Sequence, residues 1–202
     1  MKGWFVALLT GIVLLVFGVL IAVVWGIATH ESIITLEESV DKRFTALTEA
    51  YRHRADLAGA SIGGFRSCAK LEKEPLQQLV TAQSNVMSIS LDMNTLVKPA
   101  SLSMYQERQN ELGYALRRVS IAVEKFTDFR KGEVYQAIKN DLREADREVV
   151  KAIANYNAVA TEYNNKVTRV PSNIIAGFMG RFAKPVFVAT PDAKRPVTVR
   201  FD

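Results

Sequence analysis

The sequence predicts an all-α protein in which one N-terminal transmembrane helix leads into a long-helix antiparallel, four-helix-type bundle, closed by a short amphipathic helix and an extended tail. Three observations carry this. No charged side chain stands between Lys2 and His30. From residue 33 to residue 170 apolar residues recur in alternating steps of three and four, the signature of narrow helical stripes that face other helices. Convincing strand patterning is absent before residue 186. The expected organisation is an anchor over 1–29, a helical bundle over 30–171, and an amphipathic helix with a basic tail over 172–202.

The charge-free run Gly3–Thr29 is 27 residues long, or about 40 Å of helix, enough to cross the hydrocarbon layer with some tilt. Trp4 and Trp25 stand 21 positions apart, about 31 Å, so both indoles reach an interface where the N–H finds water. A cleaved secretory signal is the competing reading, since Gly26 and Ala28 stand at small-x-small spacing and Lys2 supplies a positive start. The apolar run is much longer than a signal's hydrophobic region, which favours a span that stays attached. At 100° per residue Ala7, Gly11, Gly18 and Ala22 gather on one side of the helix. In lipid, such small-residue stripes let two backbones approach closely, and the stripe is a candidate for self-association. Glycine and alanine are also simply common in spanning helices.

The stripe that follows runs Ile33, Leu36 or Glu37, Val40, Phe44, Leu47, Tyr51, Ala55, Ala58, Ile62, Phe65 and Ala69, one long helix continuous with the anchor or close behind it. Gly59, Gly63 and Gly64 weaken it by about 1 kcal/mol each, for which close helix approach or a bend is the expected reason. A second helix opens near Pro75, which suits a first turn. It uses Leu76, Leu79, Val86, Ile89 and Met93 up to the break at Leu96–Pro99. A third uses Leu102, Tyr105, Leu112, Leu116, Val119, Val123 and Phe126, with Gln109 as a partly exposed intruder or a register-setting residue. Asp128–Gly132 reads as a connection. A fourth helix carries Val134, Ile138, Leu142, Ala145, Val149, Ala152, Tyr156, Val159, Tyr163, Val167 and Val170, and Pro171 closes it. The implied interior is aliphatic and alanine-rich.

Ser172 or Asn173 is the expected cap of a short helix whose Ile174, Ile175, Phe178, Met179 and Phe182 share an apolar face. That face has three possible destinations: the bundle, a neighbouring subunit, or the membrane interface. Lys184–Pro191 reads as extended chain, with prolines at both ends.

Net charge is +5, and from Arg181 onward five basic side chains stand against Asp192 and Asp202, a balance of +3. Solvated charge is the ordinary explanation, attraction to anionic lipid the alternative. Nucleic acid is not an expected partner, because no basic stretch is interleaved with aromatics. Cys68 is the only cysteine, which rules out an intrachain disulfide and a thiolate zinc site and leaves a packing role. Of the two histidines, His30 sits at the membrane boundary, and His53 has Glu49 and Asp56 at i−4 and i+3, the spacing of a surface ion pair. No triad, metal spacing or phosphate loop accompanies them, so neither an enzyme nor a cofactor is expected.

The stretch Asn155–Gly180, with Tyr156-Asn157 and Tyr163-Asn164 seven apart and then Pro171, Asn173 and Ala176-Gly177, resembles the C-terminal signature of the LemA family. Arg54-Ala-Asp56-Leu, the Phe126–Arg130 connection and the N-terminal span add to the resemblance. Thr127 stands where the family usually has proline, and the glycine-rich 59–64 stretch replaces a more aliphatic run. The resemblance implies a bacterial single-pass inner-membrane protein with a helical bundle and no catalytic residues. It also implies a cytoplasmic domain; by charge alone, Lys2 competes with Lys42 and Arg43, and a periplasmic or extracellular domain is the alternative. One relative is implicated in building an internal membrane compartment, which suggests membrane organisation. Two functions follow as expectations: a self-associating membrane-anchored scaffold, with the lipid bilayer, other copies of itself and possible other membrane proteins as partners, or a membrane-tethered adaptor or signalling protein that recognises another protein through its helical bundle.

Overall fold

The computed structural model describes residues 2–68, 71–89 and 99–187. Among these the protein is all-α, with six helices: α1 (Lys2–Arg66), α2 (Lys73–Met87), α3 (Pro99–Glu124), α4 (Thr127–Lys131), α5 (Glu133–Thr168) and α6 (Ser172–Phe178). Ala69, Met93 and the Leu96–Lys98 part of the expected break lie outside the described residues, as does the tail beyond Phe187 with Lys194, Arg195 and Arg200. The chain divides into two compact units, Met1–Val40 with Thr161–Lys184, and Asp41–Ala160 with Pro185–Asp202.

In the first unit, most of the charge-free part of α1 is uncovered by protein. Its large apolar side chains are 50–72% exposed from Leu8 to Val24. Burial begins where the apolar run ends, with Trp25 at 40%, Thr29 at 3% and Ile33 and Val40 at 0%. Tyr163, Val167 and Ala176 are buried in the same unit.

In the second unit a single core joins four helices. Ala55, Ala58 and Phe65 of α1 pack with Leu79, Ala82 and Val86 of α2, with Leu112, Leu116, Val119 and Val123 of α3, and with Tyr135 and Leu142 of α5. Each fully buried aliphatic side chain contributes roughly 1.5–3 kcal/mol. Here α1 and α5 run in opposite directions: Phe44 meets Tyr156, Arg54 meets Asp146, and a Cβ at Gly64 would collide with Ile138. Close approach thus accounts for Gly64, whereas at Gly59 a Cβ would meet only the terminal amide of Gln83 at 3.0 Å, the end of a flexible side chain. Close approach does not account for Gly63, whose Cβ would meet nothing within 4 Å.

Several sequence expectations change. The second helix ends at Met87, well before Pro99, and Ile89 is not helical. At that end the Ser88 hydroxyl donates to the Asn85 carbonyl at 2.8 Å. The connection after Phe126 is itself the five-residue helix α4, fastened when Gln136 Nε2 donates to the Arg130 carbonyl at 2.6 Å. Thr127 is its first residue, a position where proline is equally tolerated. On α5 the buried residue of the first turn is Tyr135, with Val134 53% exposed, and Val170 lies beyond the helix at 79% exposed. Pro171, after a cis peptide bond, takes the cap position of α6. Neither Ser172 nor Asn173 caps that helix; the Ser172 hydroxyl reaches back to the Lys166 and Arg169 carbonyls at 2.6 and 3.0 Å.

Candidate functional site

The interior of the second unit contains a polar layer that an aliphatic stripe does not suggest. Arg54 is buried, and a buried guanidinium needs acceptors or it costs several kcal/mol. Its Nη2 donates to the Gln109 carbonyl at 2.9 Å and to Gln109 Oε1 at 2.7 Å, and Nη1 donates to Asp146 Oδ1 at 3.4 Å. Gln109 Nε2 in turn donates to the Tyr105 hydroxyl at 3.1 Å. Gln109 is 3% exposed and Asp146 5%, so the glutamine is not the partly exposed intruder its position suggested. Tyr51 stands edge-on to Tyr105, ring centroids 5.4 Å apart, with the Arg54 guanidinium 5.7 Å from the Tyr51 centroid. Burial pushes both phenols above their ordinary pKa, against the pull of the Arg54 charge.

Beside this layer, α5 holds the segment after α6 by its backbone. The Tyr156 hydroxyl donates to the Pro185 carbonyl at 2.8 Å. Asn157 makes a two-bond clamp, with Nδ2 donating to the Phe187 carbonyl at 2.8 Å and Oδ1 accepting the Phe187 N–H at 2.9 Å. The Phe187 ring then packs edge-on against Tyr156 at 5.5 Å. Burial, helped by the Asp41 charge, leaves the Tyr156 phenol pushed up to about 12.

In the first unit Asn164 builds the same clamp on Lys184, with bonds of 2.8 and 2.7 Å. The Lys184 ammonium lies 5.9 Å from the Tyr163 ring centroid and 3.2 Å from Glu37 Oε1, and Arg181 Nε is 3.0 Å from Glu37 Oε2. Glu37 therefore occupies its stripe position as the acceptor for two cations. The chain reaches it by a left-handed turn at Gly180, φ +65°, where Arg181 N–H bonds the Ala176 carbonyl at 2.9 Å and Gly180 N–H the Gly177 carbonyl at 3.1 Å. This pairing closes a helix on a residue that is usually glycine.

Asn157, Asn164 and the Phe187 segment lie within the 43–201 stretch that matches the model of the LemA family. The protein belongs to the LemA family. LemA family proteins are not catalytic, and among the described residues no group of three or more His, Cys, Asp and Glu could hold a metal ion. No curated protein matches the chain. The family match begins at Arg43, so the membrane reading of α1 rests on its own composition: it is the one described helix long and apolar enough to cross a membrane.

The remaining sequence-selected residues of this LemA protein are placed as follows. Ala7, Gly11, Gly18 and Ala22 are exposed on α1, and a Cβ at Gly11 or Gly18 would meet nothing within 4 Å. Trp4 is 65% exposed, edge-on to Phe5. Asp56 faces solvent while its neighbour Arg54 is buried. Asn173 is half-buried on α6, its N–H donating to the Arg169 carbonyl at 2.9 Å. The five-residue apolar face divides: Ile175 and Met179 are half-buried, whereas Ile174, Phe178 and Phe182 are 56%, 87% and 76% exposed, Phe182 lying past the helix end. His53 turns away from Glu49 and Asp56 to Glu148 on α5, Nδ1 to Oε2 3.1 Å, as an exposed pair. The sequence does not single out Asp146, and it offers Gln109 only as a partly exposed or register-setting residue and Glu37 only as an alternative stripe position, because each is a polar residue standing at an apolar stripe position or beside one.

Proposed function

We propose that the protein is a non-enzymatic, single-pass membrane scaffold that associates with copies of itself and organises membrane or membrane-bound assemblies. One observation carries it: from Leu8 to Val24 the large apolar side chains of α1 are 50–72% exposed, covered by no other part of the described protein. An apolar surface of that size demands a partner, either lipid or another apolar surface. In this reading residues 1–29 are the anchor in a bacterial inner membrane, with Trp4 and Trp25 at its two faces. Ala7, Gly11, Gly18 and Ala22 form the contact between spans, residues 30–171 form an antiparallel four-helix-type bundle in the cytoplasm, and 172–202 form the amphipathic helix and tail.

Resistance of the full chain to extraction by alkaline carbonate tests the anchor. A Cys68→Ser, Asp141→Cys variant tests the side: the cysteine should resist an impermeant thiol reagent in intact cells and react after lysis. Reaction in intact cells would place the bundle outside.

A tethered adaptor is the second reading, favoured by a groove in the second unit whose lining includes Ala46, Ala50 and Ala152 together with Arg43, Glu49, Glu148 and Lys151. Such a groove suits a partner helix.

A further inference from the structure

The structure fixes α6 against α1 at one height, and that height is the end of the apolar run. A Cβ at Gly26 would stand 3.9 Å from Ile175 Cδ1, so Ile175 rests on the backbone next to Trp25. Ala176 is fully buried and Met179 half-buried on the same inward side. Ile174 and Phe178, four apart and hence on one face, point away from the protein together with Phe182 beyond the Gly180 turn. Two phenylalanines at 87% and 76% exposure, on and just after a helix that meets α1 at Gly26, are costly in water and well suited to the headgroup–acyl border.

We propose that α6 and the turn after it lie in the interfacial layer of the bilayer, with Ile174, Phe178 and Phe182 inserted among the lipids as a second contact beside the span. The proposal rests on the anchor reading of α1. The occupant is lipid because Ile175, on the same short helix, rests on Gly26, which lies inside the charge-free run that the span presents to lipid. Insertion is apolar in character: Arg181 and Lys184 are committed to Glu37, which stands 11 residues beyond Gly26, about 16 Å further from the membrane. The contact therefore requires no anionic lipid, in contrast to basic amphipathic helices that bind by charge.

The test uses the full chain reconstituted in phosphatidylcholine vesicles, in a Cys68→Ser background, with an environment-sensitive fluorophore on single cysteines. Phe178→Cys and, separately, Phe182→Cys probe the patch. Both positions are exposed, so labelling removes no packing. Leu14→Cys reports the mid-span and Glu38→Cys the aqueous side. Lipids brominated near the headgroup should quench the labels at 178 and 182 at least about twofold, with deep-brominated lipids quenching the label at 14 and neither affecting 38. Quenching at 14 with none at 178 and 182 would overturn the proposal and leave the anchor standing. No quenching at 14 would overturn both. Equal quenching at 178 in neutral and phosphatidylglycerol-containing vesicles is expected; quenching that requires the anionic lipid overturns the apolar mode.

Discussion

Asn157 reads the backbone of Phe187 from both sides, donating to its carbonyl at 2.8 Å and accepting its N–H at 2.9 Å. A side-chain amide is the smallest group that can replace both ladder bonds of a neighbouring strand, so one residue on a helix gives an extended segment a defined register. Asn157→Ala leaves both peptide groups of Phe187 without these partners, at a cost of about 1–3 kcal/mol. Hydrogen exchange at the Phe187 amide should accelerate accordingly, while Asn155→Ala, at an exposed position two residues away, should leave it unchanged.

Arg54 and Asp146 are both buried and lie 3.4 Å apart, so each lowers the cost of burying the other's charge. Replacing one alone, as in Arg54→Met or Asp146→Leu, should cost about 3–5 kcal/mol, the penalty of a stranded buried charge. The double variant should lose less than the sum of the two, with a coupling of about 1–3 kcal/mol. Denaturant unfolding of the four members of the cycle measures it.

Adjacent glycines in α1 should respond with opposite signs. Gly63→Ala enters open space in a helix interior and should stabilise by about 0.5–1 kcal/mol. Gly64→Ala drives a methyl into Ile138 and Val134 and should destabilise by about 1–3 kcal/mol. Thermal midpoints of the two variants, measured against the parent, report both.

Stability should fall in strong alkali. Burial raises the folded pKa of Tyr51, Tyr105 and Tyr156 above the unfolded value of about 10. Below pH 10 both states keep these protons and the contribution is complete. As pH rises above 10 the unfolded chain releases them first, so stability drops by about 1.4 kcal/mol per pH unit for each retained proton. For Tyr156 the loss runs from pH 10 to about 12. Tyr156→Phe should make the decline in the urea midpoint between pH 10 and 12 shallower.

The long helices were legible because burial on one side imposes a three-four alternation, and α1, α3 and α5 follow it over most of their length. What escaped has a common cause. Periodicity records where a side chain points and not which atoms meet it there, so Arg54, Gln109 and Asp146 read as ordinary charged or polar residues although they bond through the Arg54 Nη atoms inside the core. The Tyr-Asn pairs were visible as a heptad repeat, but the segment they hold has no period of its own by which Lys184 and Phe187 could be recognised. The early end of α2 and the extra helix α4 leave no mark on a pattern of apolar positions.

Self-association through the span is the centre of this account, and particle mass in a native bilayer patch measures it most directly. Polymer-extracted discs holding the full chain should give one discrete mass at a multiple of the 22.5 kDa protomer, shifting toward a single protomer in the Gly11→Ile, Gly18→Ile variant, whose side chains hold the spans apart. A single-protomer mass for the unaltered chain, or an assembly that the double variant leaves intact, would contradict it.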